Sequence, residues 1–185
     1  MKSYEVAAYR ISLVRDSSVK MQEQPSVRSS AEIYNLMKHY YVDADRESFY
    51  IVMLDAKNKV IGISCISTGS LTSSLVHPRE VFKPVVAWND AQKEKSEQWS
   101  LDRLTPEEQK TLQKQVCEII CRHSCAAIVL AHNHPSGDPT PSQEDLHITR
   151  RLREIGEIMA VRVLDHIIVG DGRYVSFVDD NYWEK

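Results

Sequence analysis

The stretch AAIVLAHNHPSGDPTPSQED, residues 126–145, decides how the rest of the chain is read. It opens with AAIVLAH (126–132), a short apolar run of strand length, and passes directly into NHPSGDPTPS (133–142), which is polar and rich in proline. An apolar run of that length bounded by turn residues reads as a buried strand. From Ser142 a helical pattern takes over, with Ile148, Leu152, Ile155 and Met159 on one face. A buried strand leading through a loop into an amphipathic helix is a building unit of α/β folds.

Working outward, VRVLDHIIVG (161–170) and RYVSFV (173–178) read as two further strands after that helix. Upstream, SFYIVMLD (48–55) and VIGISCIS (60–67) flank the turn-prone Ala-Lys-Asn-Lys and form a hairpin, both strands apolar enough to be largely buried. Ser29 and Ser30 precede a helix in which Ile33, Leu36, Met37 and Tyr40 share a face, ending before Asp43. Residues 4–14 read as a first strand, followed by a polar linker to about residue 27. After a Gly-Ser-Leu-Thr-Ser-Ser loop, Pro78 suits a first helical turn, and REVFKPVVAW is a helix interrupted near Pro84. Thr105-Pro106-Glu107-Glu108 opens another helix, to about His123. The broad class is α/β, a central sheet flanked by helices.

At 185 residues and 42% hydrophobic content, one main domain is expected. The N-terminus lacks a signal-peptide pattern and no run of 18 apolar residues occurs, so a cytoplasmic protein with no membrane partner is the expectation. Cys117, Cys121 and Cys125 recur every fourth position, as along one face of a helix, and with Cys65 they lack the paired spacing of a zinc ribbon. The net charge of -3, with both signs interspersed, gives no electrostatic case for binding nucleic acid.

His132 and His134 stand one residue apart where the strand at 126–132 ends, so both side chains emerge on one face and can converge on one ion. Two histidines alone are more often at the surface or hydrogen-bonded than bound to a metal. Asp145, in the first turn of the next helix, would complete a set of two imidazoles and a carboxylate, leaving a fourth tetrahedral position for water, as in catalytic zinc sites. Without the wider pattern, Ser142 to Asp145 could equally be a helix cap with an acid in its first turn. The contiguous His-Asn-His is not the dispersed motif of HNH nucleases.

The string His132-x-His134-Pro135, six residues, Ser142, two residues, Asp145 resembles the JAMM motif of the JAB/MPN+ metalloenzymes at every position and interval. More narrowly, HNHPSGDPTPSQED, GSLTSSLVHPREVF and VLDHIIVGDGRYVSF resemble the JAB domain of the RadC family, over about residues 28–178. The resemblance implies a cytidine-deaminase-like JAB/MPN fold, a central mixed β-sheet flanked by helices, over residues 28–185. It implies Zn2+ on His132, His134 and Asp145, with a water as fourth ligand. It also implies a glutamate from an earlier strand as general base; Glu47 is the better match and Glu80, in PREVF, the competitor. Ser142 matches the family serine that helps stabilise the tetrahedral oxyanion, and it can cap the helix as well. Asp165-His166, in the DHII segment, is read as structural or as supporting the site from behind.

Two departures stand out. Longer RadC proteins carry an upstream helix-hairpin-helix-like region expected to touch DNA, for which this chain begins too close to the JAB portion, so a DNA-repair role is weakened. The charged stretch at about 89–115 looks like an insertion, either a substrate lid with Trp99 as anchor or a solvated helical excursion. The leading function is therefore zinc-dependent hydrolysis of a peptide or isopeptide bond in an unknown protein or peptide substrate, by a chain that could form a homo-oligomer. DNA repair or nucleic-acid processing, and a non-catalytic interaction module, are the alternatives.

Overall fold

A computed structural model describes residues 25–42, 44–69, 76–97, 105, 107 and 124–184, apart from the side chains of 93–97. The strand expected at 4–14, and nearly all of the helix expected from Thr105 to His123, lie outside the described residues. So does the charged stretch beyond residue 97, Thr105 and Glu107 excepted.

A five-stranded mixed sheet forms the centre, in the order β2-β1-β3-β4-β5. The strands are β1 (Ser48–Leu54), β2 (Val60–Thr68), β3 (Ala127–Asn133), β4 (Arg162–Val169) and β5 (Tyr174–Ser176). The β1–β2 hairpin is closed by Asp55, whose Oδ1 accepts hydrogen bonds from the backbone N–H of Lys57 and of Lys59, each at 2.8 Å. Asn58 takes the left-handed conformation there (φ 58°), as asparagine tolerates in tight turns. β1 pairs antiparallel with both β2 and β3, whereas β3 and β4 are parallel and need a crossover. The helix α3 (Gln143–Ile158) supplies it.

Alternation along the strands divides the core into two layers. Phe49, Ile51, Met53, Ile128 and Leu130 face α2 (Pro78–Glu97) and α3, meeting Val81, Phe82, Val85, Ile148 and Leu152. On the other face Val52, Leu54, Val129, Ile167 and Val169 pack against Ile33 and Met37 of α1 (Ser30–Met37). Ser29 caps α1, its hydroxyl accepting from Glu32 N at 3.3 Å. Both β1 and β3 are buried on both faces, which explains their unbroken apolar sequences.

Four local expectations need correction. Helix α2 runs through Pro84 to Glu97 without interruption. Val81, Phe82 and Val85 are buried on either side of the proline, and that packing outweighs a mid-helix cost of about 3 kcal/mol. The charged stretch thus begins as a continuation of α2. Strand β2 is only half-buried, because it ends the sheet order and has one neighbouring strand among the described residues. Cys125 lies in the turn before β3, buried in the core, and not along a helix. Met159 is the C-cap of α3 and 37% exposed, so the buried stripe stops short of it. No helix among the described residues is long and apolar enough to cross a membrane.

Candidate metal centre

Antiparallel pairing lays the start of β1 beside the end of β3, with Phe49 opposite His132. Glu47, just ahead of β1, therefore arrives at the sheet end where His132 and His134 emerge. Asn133, between the histidines, reaches across to β1: its Oδ1 accepts from Ser48 N at 2.8 Å and its Nδ2 donates to the Arg46 carbonyl at 3.0 Å. The Glu47 carbonyl accepts from Gly69 N at 2.8 Å.

The loop after β3 folds back tightly. His134 N donates to Val169 O at 2.9 Å and Gly137 N to His134 O at 2.9 Å. Gly137 has φ +81°, and a Cβ on Gly170 would stand 2.3 Å from the Gly137 carbonyl oxygen, so glycine at both positions lets the two loops touch. Ser142 then opens α3 with a capping box: its Oγ accepts from Asp145 N at 3.1 Å, and Asp145 Oδ2 accepts from Ser142 N at 2.7 Å. Ser142 Oγ also donates to Asp145 Oδ2 at 2.6 Å. The cap fixes the carboxylate, which is 3% exposed and faces both imidazoles.

Three donors converge. His132 Nε2 and His134 Nε2 are 3.0 Å apart; Asp145 Oδ1 is 3.2 Å from the first and Oδ2 3.5 Å from the second. The far nitrogen of each ring is engaged elsewhere, His132 Nδ1 with His166 Nε2 at 2.8 Å and His134 Nδ1 as donor to the Asp138 carbonyl at 2.7 Å. Both Nε2 atoms thus face each other and the Asp145 carboxylate. Two ring nitrogens this close, beside a buried carboxylate, need a proton or a metal cation between them. Ligands held tetrahedrally by bonds of ~2.0–2.1 Å stand about 3.3 Å apart, so the donor set fits a zinc-sized ion.

Glu47 Oε1 lies 3.7 Å from His132 Nε2 and 3.8 Å from His134 Nε2, beyond direct hydrogen bonding. Glu47, His132 and His134 also form a possible metal-holding group, with ligand atoms within 4.8 Å of one another. Asp145 is closer to both rings than Glu47 and more deeply buried. Glu80 is elsewhere engaged, in the first turn of α2, with Arg79 at 3.5 Å and Lys83 at 3.9 Å.

The buried carboxylate and the imidazoles shift one another's pKa. Burial alone would raise the Asp145 pKa, but the neighbouring imidazoles of His132 and His134 and the Ser142 hydroxyl hold it far below the usual carboxylate range. Burial would lower the His134 pKa, yet Asp145, the Asp138 carbonyl and Glu47 together raise it. His166 is wholly buried, which with neighbouring His132 pushes its pKa well down. The Asp165 side chain sits behind the site, its Oδ2 accepting from Ser176 Oγ at 2.6 Å and its Oδ1 from Val178 N at 3.1 Å, and burial raises its pKa. The structure thus brings His132, His134, Asp145, Ser142 and Glu47 together, and adds Asn133, Thr149 and the Asp138 carbonyl, which sequence reasoning did not single out.

Comparison with known proteins identifies the family. The RadC-like JAB domain family model matches residues 27–92 and 90–182, two segments that meet inside the charged stretch. A UPF0758 protein of Geobacter sulfurreducens is 43% identical over 150 residues, covering 81% of this chain and 50% of the relative. One from Moorella thermoacetica is 43% identical over 155 residues (84% and 52%), and one from Syntrophotalea carbinolica 47% over 137 residues (74% and 45%). The chain spans about half the length of these curated relatives.

Proposed function

The chain belongs to the RadC-like JAB domain family, and from that premise we propose that it is a JAMM-type zinc metallohydrolase that cleaves an amide bond, peptide or isopeptide. The observation that carries the reading is the convergence of His132 Nε2, His134 Nε2 and the Asp145 carboxylate within 3.0 to 3.5 Å of one another. These three residues would hold the zinc. Bound there, zinc supplies a Lewis acid that polarises a carbonyl and brings the pKa of water from 15.7 to about 7.

The remaining roles fall to side chains at the rim. Glu47 would take a proton from the attacking water and return it to the leaving amine; its Oε1 stands 3.7 and 3.8 Å from the two imidazole nitrogens, room enough for a bridging water. The Ser142 hydroxyl, turned from Asp145 toward the cleft, would donate to the oxygen on which negative charge develops, a contact that can be worth about 3 kcal/mol. Asp145 Oδ2 would keep its bond from Ser142 N through that turn.

Elemental analysis of purified wild type and Asp145→Ala tests the premise. The expected result is about one zinc per wild-type chain and none in the variant. The loaded protein is then offered fluorogenic peptides, isopeptide-linked peptides and oligonucleotides in parallel. Cleavage of the amide substrates supports the proposal, and cleavage of oligonucleotides alone moves it to nucleic-acid processing. A folded wild type that refuses added zinc overturns it in favour of an interaction module.

A further inference from the structure

Behind the metal-facing side of His132 runs a chain of three buried groups. Thr149, four residues after Asp145 on α3, donates its hydroxyl proton to the Asp145 carbonyl at 2.6 Å. The same Oγ1 lies 2.6 Å from His166 Nδ1, and His166 Nε2 lies 2.8 Å from His132 Nδ1. Thr149 is 3% exposed, and His132 and His166 are fully buried. His166 is enclosed by the rings of Phe49 and Phe177, with centroids at 5.5 and 4.8 Å.

Counting protons along this chain gives it a direction. A hydroxyl has one proton, and a carbonyl can only accept, so Thr149 Oγ1 meets His166 as an acceptor. His166 must then carry its proton on Nδ1. A ring so enclosed, with no carboxylate among the described residues in hydrogen-bond contact, stays uncharged, which leaves its Nε2 bare. The proton in the next bond therefore belongs to His132 Nδ1, and in the neutral ring Nε2 is left with its lone pair toward His134 and Asp145.

Resting on the metal-site reading above, we infer that Thr149 and His166 are positioning residues: their hydrogen-bond relay fixes the His132 proton on Nδ1 and so keeps Nε2 a ready metal donor. Asp145 closes the loop, since its carbonyl orients the Thr149 hydroxyl while its carboxylate faces His132 Nε2 at 3.2 Å, where both would hold the ion. The two ligands are thereby coupled through Thr149. His134 needs no such relay, because its Nδ1 proton goes to a backbone carbonyl, which admits one tautomer only.

Replacing Thr149 by valine keeps the shape and removes the acceptor. The His166 proton would then have no partner on Nδ1; moving to Nε2, it would donate to His132 Nδ1 and drive the His132 proton onto the metal-facing nitrogen. Long-range 1H–15N spectra of the metal-free protein read these tautomers directly, and a chelator competition reads zinc affinity. Wild type is expected to show His132 protonated on Nδ1. Thr149→Val should shift that proton toward Nε2 and weaken zinc binding by about 10- to 100-fold, and Thr149→Ser should restore both.

A wild-type spectrum with the His132 proton on Nε2 overturns the inference without any variant. So does a folded Thr149→Val protein with unchanged tautomer and affinity, or equal losses in the serine and valine variants. A wild type with the expected tautomer that takes up no zinc refutes the metallohydrolase reading and leaves the relay standing, so the two failures are distinguishable.

Discussion

Asn133 grips the peptide groups on both sides of Glu47, accepting from Ser48 N at 2.8 Å and donating to Arg46 O at 3.0 Å. The residue between the two histidines thereby sets where the proposed base stands. Asn133 is 5% exposed, and its removal would leave buried backbone groups unpaired, costing about 1–3 kcal/mol. Asn133→Ala should lower the urea midpoint accordingly while zinc content stays near that of wild type. Turnover on any amide substrate that wild type cleaves should fall about 100-fold, as for a catalytic group displaced by ~1 Å. Unchanged turnover at reduced stability would limit Asn133 to a purely structural role.

Glu47→Gln should retain zinc and lose turnover by about 100- to 10,000-fold, the usual contribution of a general base. Glu80→Gln should change neither, because Glu80 is occupied with Arg79 and Lys83 on the exposed start of α2. Paired kinetics and metal analysis on the two variants decide between the acids. Loss of turnover in Glu80→Gln alone would transfer the base assignment.

Much of this arrangement can be read from sequence, and the reason lies in local spacing. His132 and His134 stand two residues apart on one strand, and Asp145 is carried by the helix that Ser142 caps, so intervals along the chain translate directly into proximity. The elements that follow strong periodicity, β1, β3, α3 and β4, are found where the pattern puts them. Thr149 and His166 meet across 17 residues, and Asn133 meets Ser48 across 85, so their roles depend on strand register and helix docking. Thr149, four residues on from Asp145, lies on the same helical face, which was the one available signal. At Pro84 the opposite holds: the local rule that proline interrupts a helix gives way to tertiary packing.

Metal uptake should depend on pH through His134, whose pKa is raised above 6.5. Burial alone would lower it, so the raised value reflects the carboxylates of Asp145 and Glu47 and the Asp138 carbonyl. In metal-free protein a proton is therefore held where the ion would sit, and zinc must displace it. Below the raised pKa the apparent affinity should fall by about tenfold per pH unit, and above it this dependence should vanish. Chelator competition between pH 5.5 and 8.5 measures the slope. A flat profile would remove His134 from the ligand set.

Asp145→Asn separates the two duties of that residue. The amide oxygen can still accept from Ser142 N, so the cap on α3 survives and stability should change by less than the roughly 1 kcal/mol expected when a cap is lost. The negative charge facing His132 and His134 is gone, so zinc should no longer bind stoichiometrically. Asp145→Ala should lose both. Thermal unfolding with metal analysis on the two variants distinguishes these outcomes, and full zinc occupancy in Asp145→Asn would show that the carboxylate is dispensable.

Cys125 provides a stability prediction independent of the metal. Burial pushes its thiol pKa from 9.0 up to about 11, against the backbone hydrogen bonds that favour the thiolate. The folded state therefore keeps this proton over a range in which the unfolded chain has released it. The contribution is fully present below pH 9.0 and is lost as pH rises to about 11. Two pKa units correspond to about 3 kcal/mol. Denaturant unfolding at pH 8 and pH 11 should show that loss in wild type beyond the loss in Cys125→Ala, because alanine has no proton to release. An identical pH dependence in the two proteins would mean that the thiolate is accommodated without penalty, and that Cys125 is less shielded by Asn89 and the start of β3 than the packing indicates.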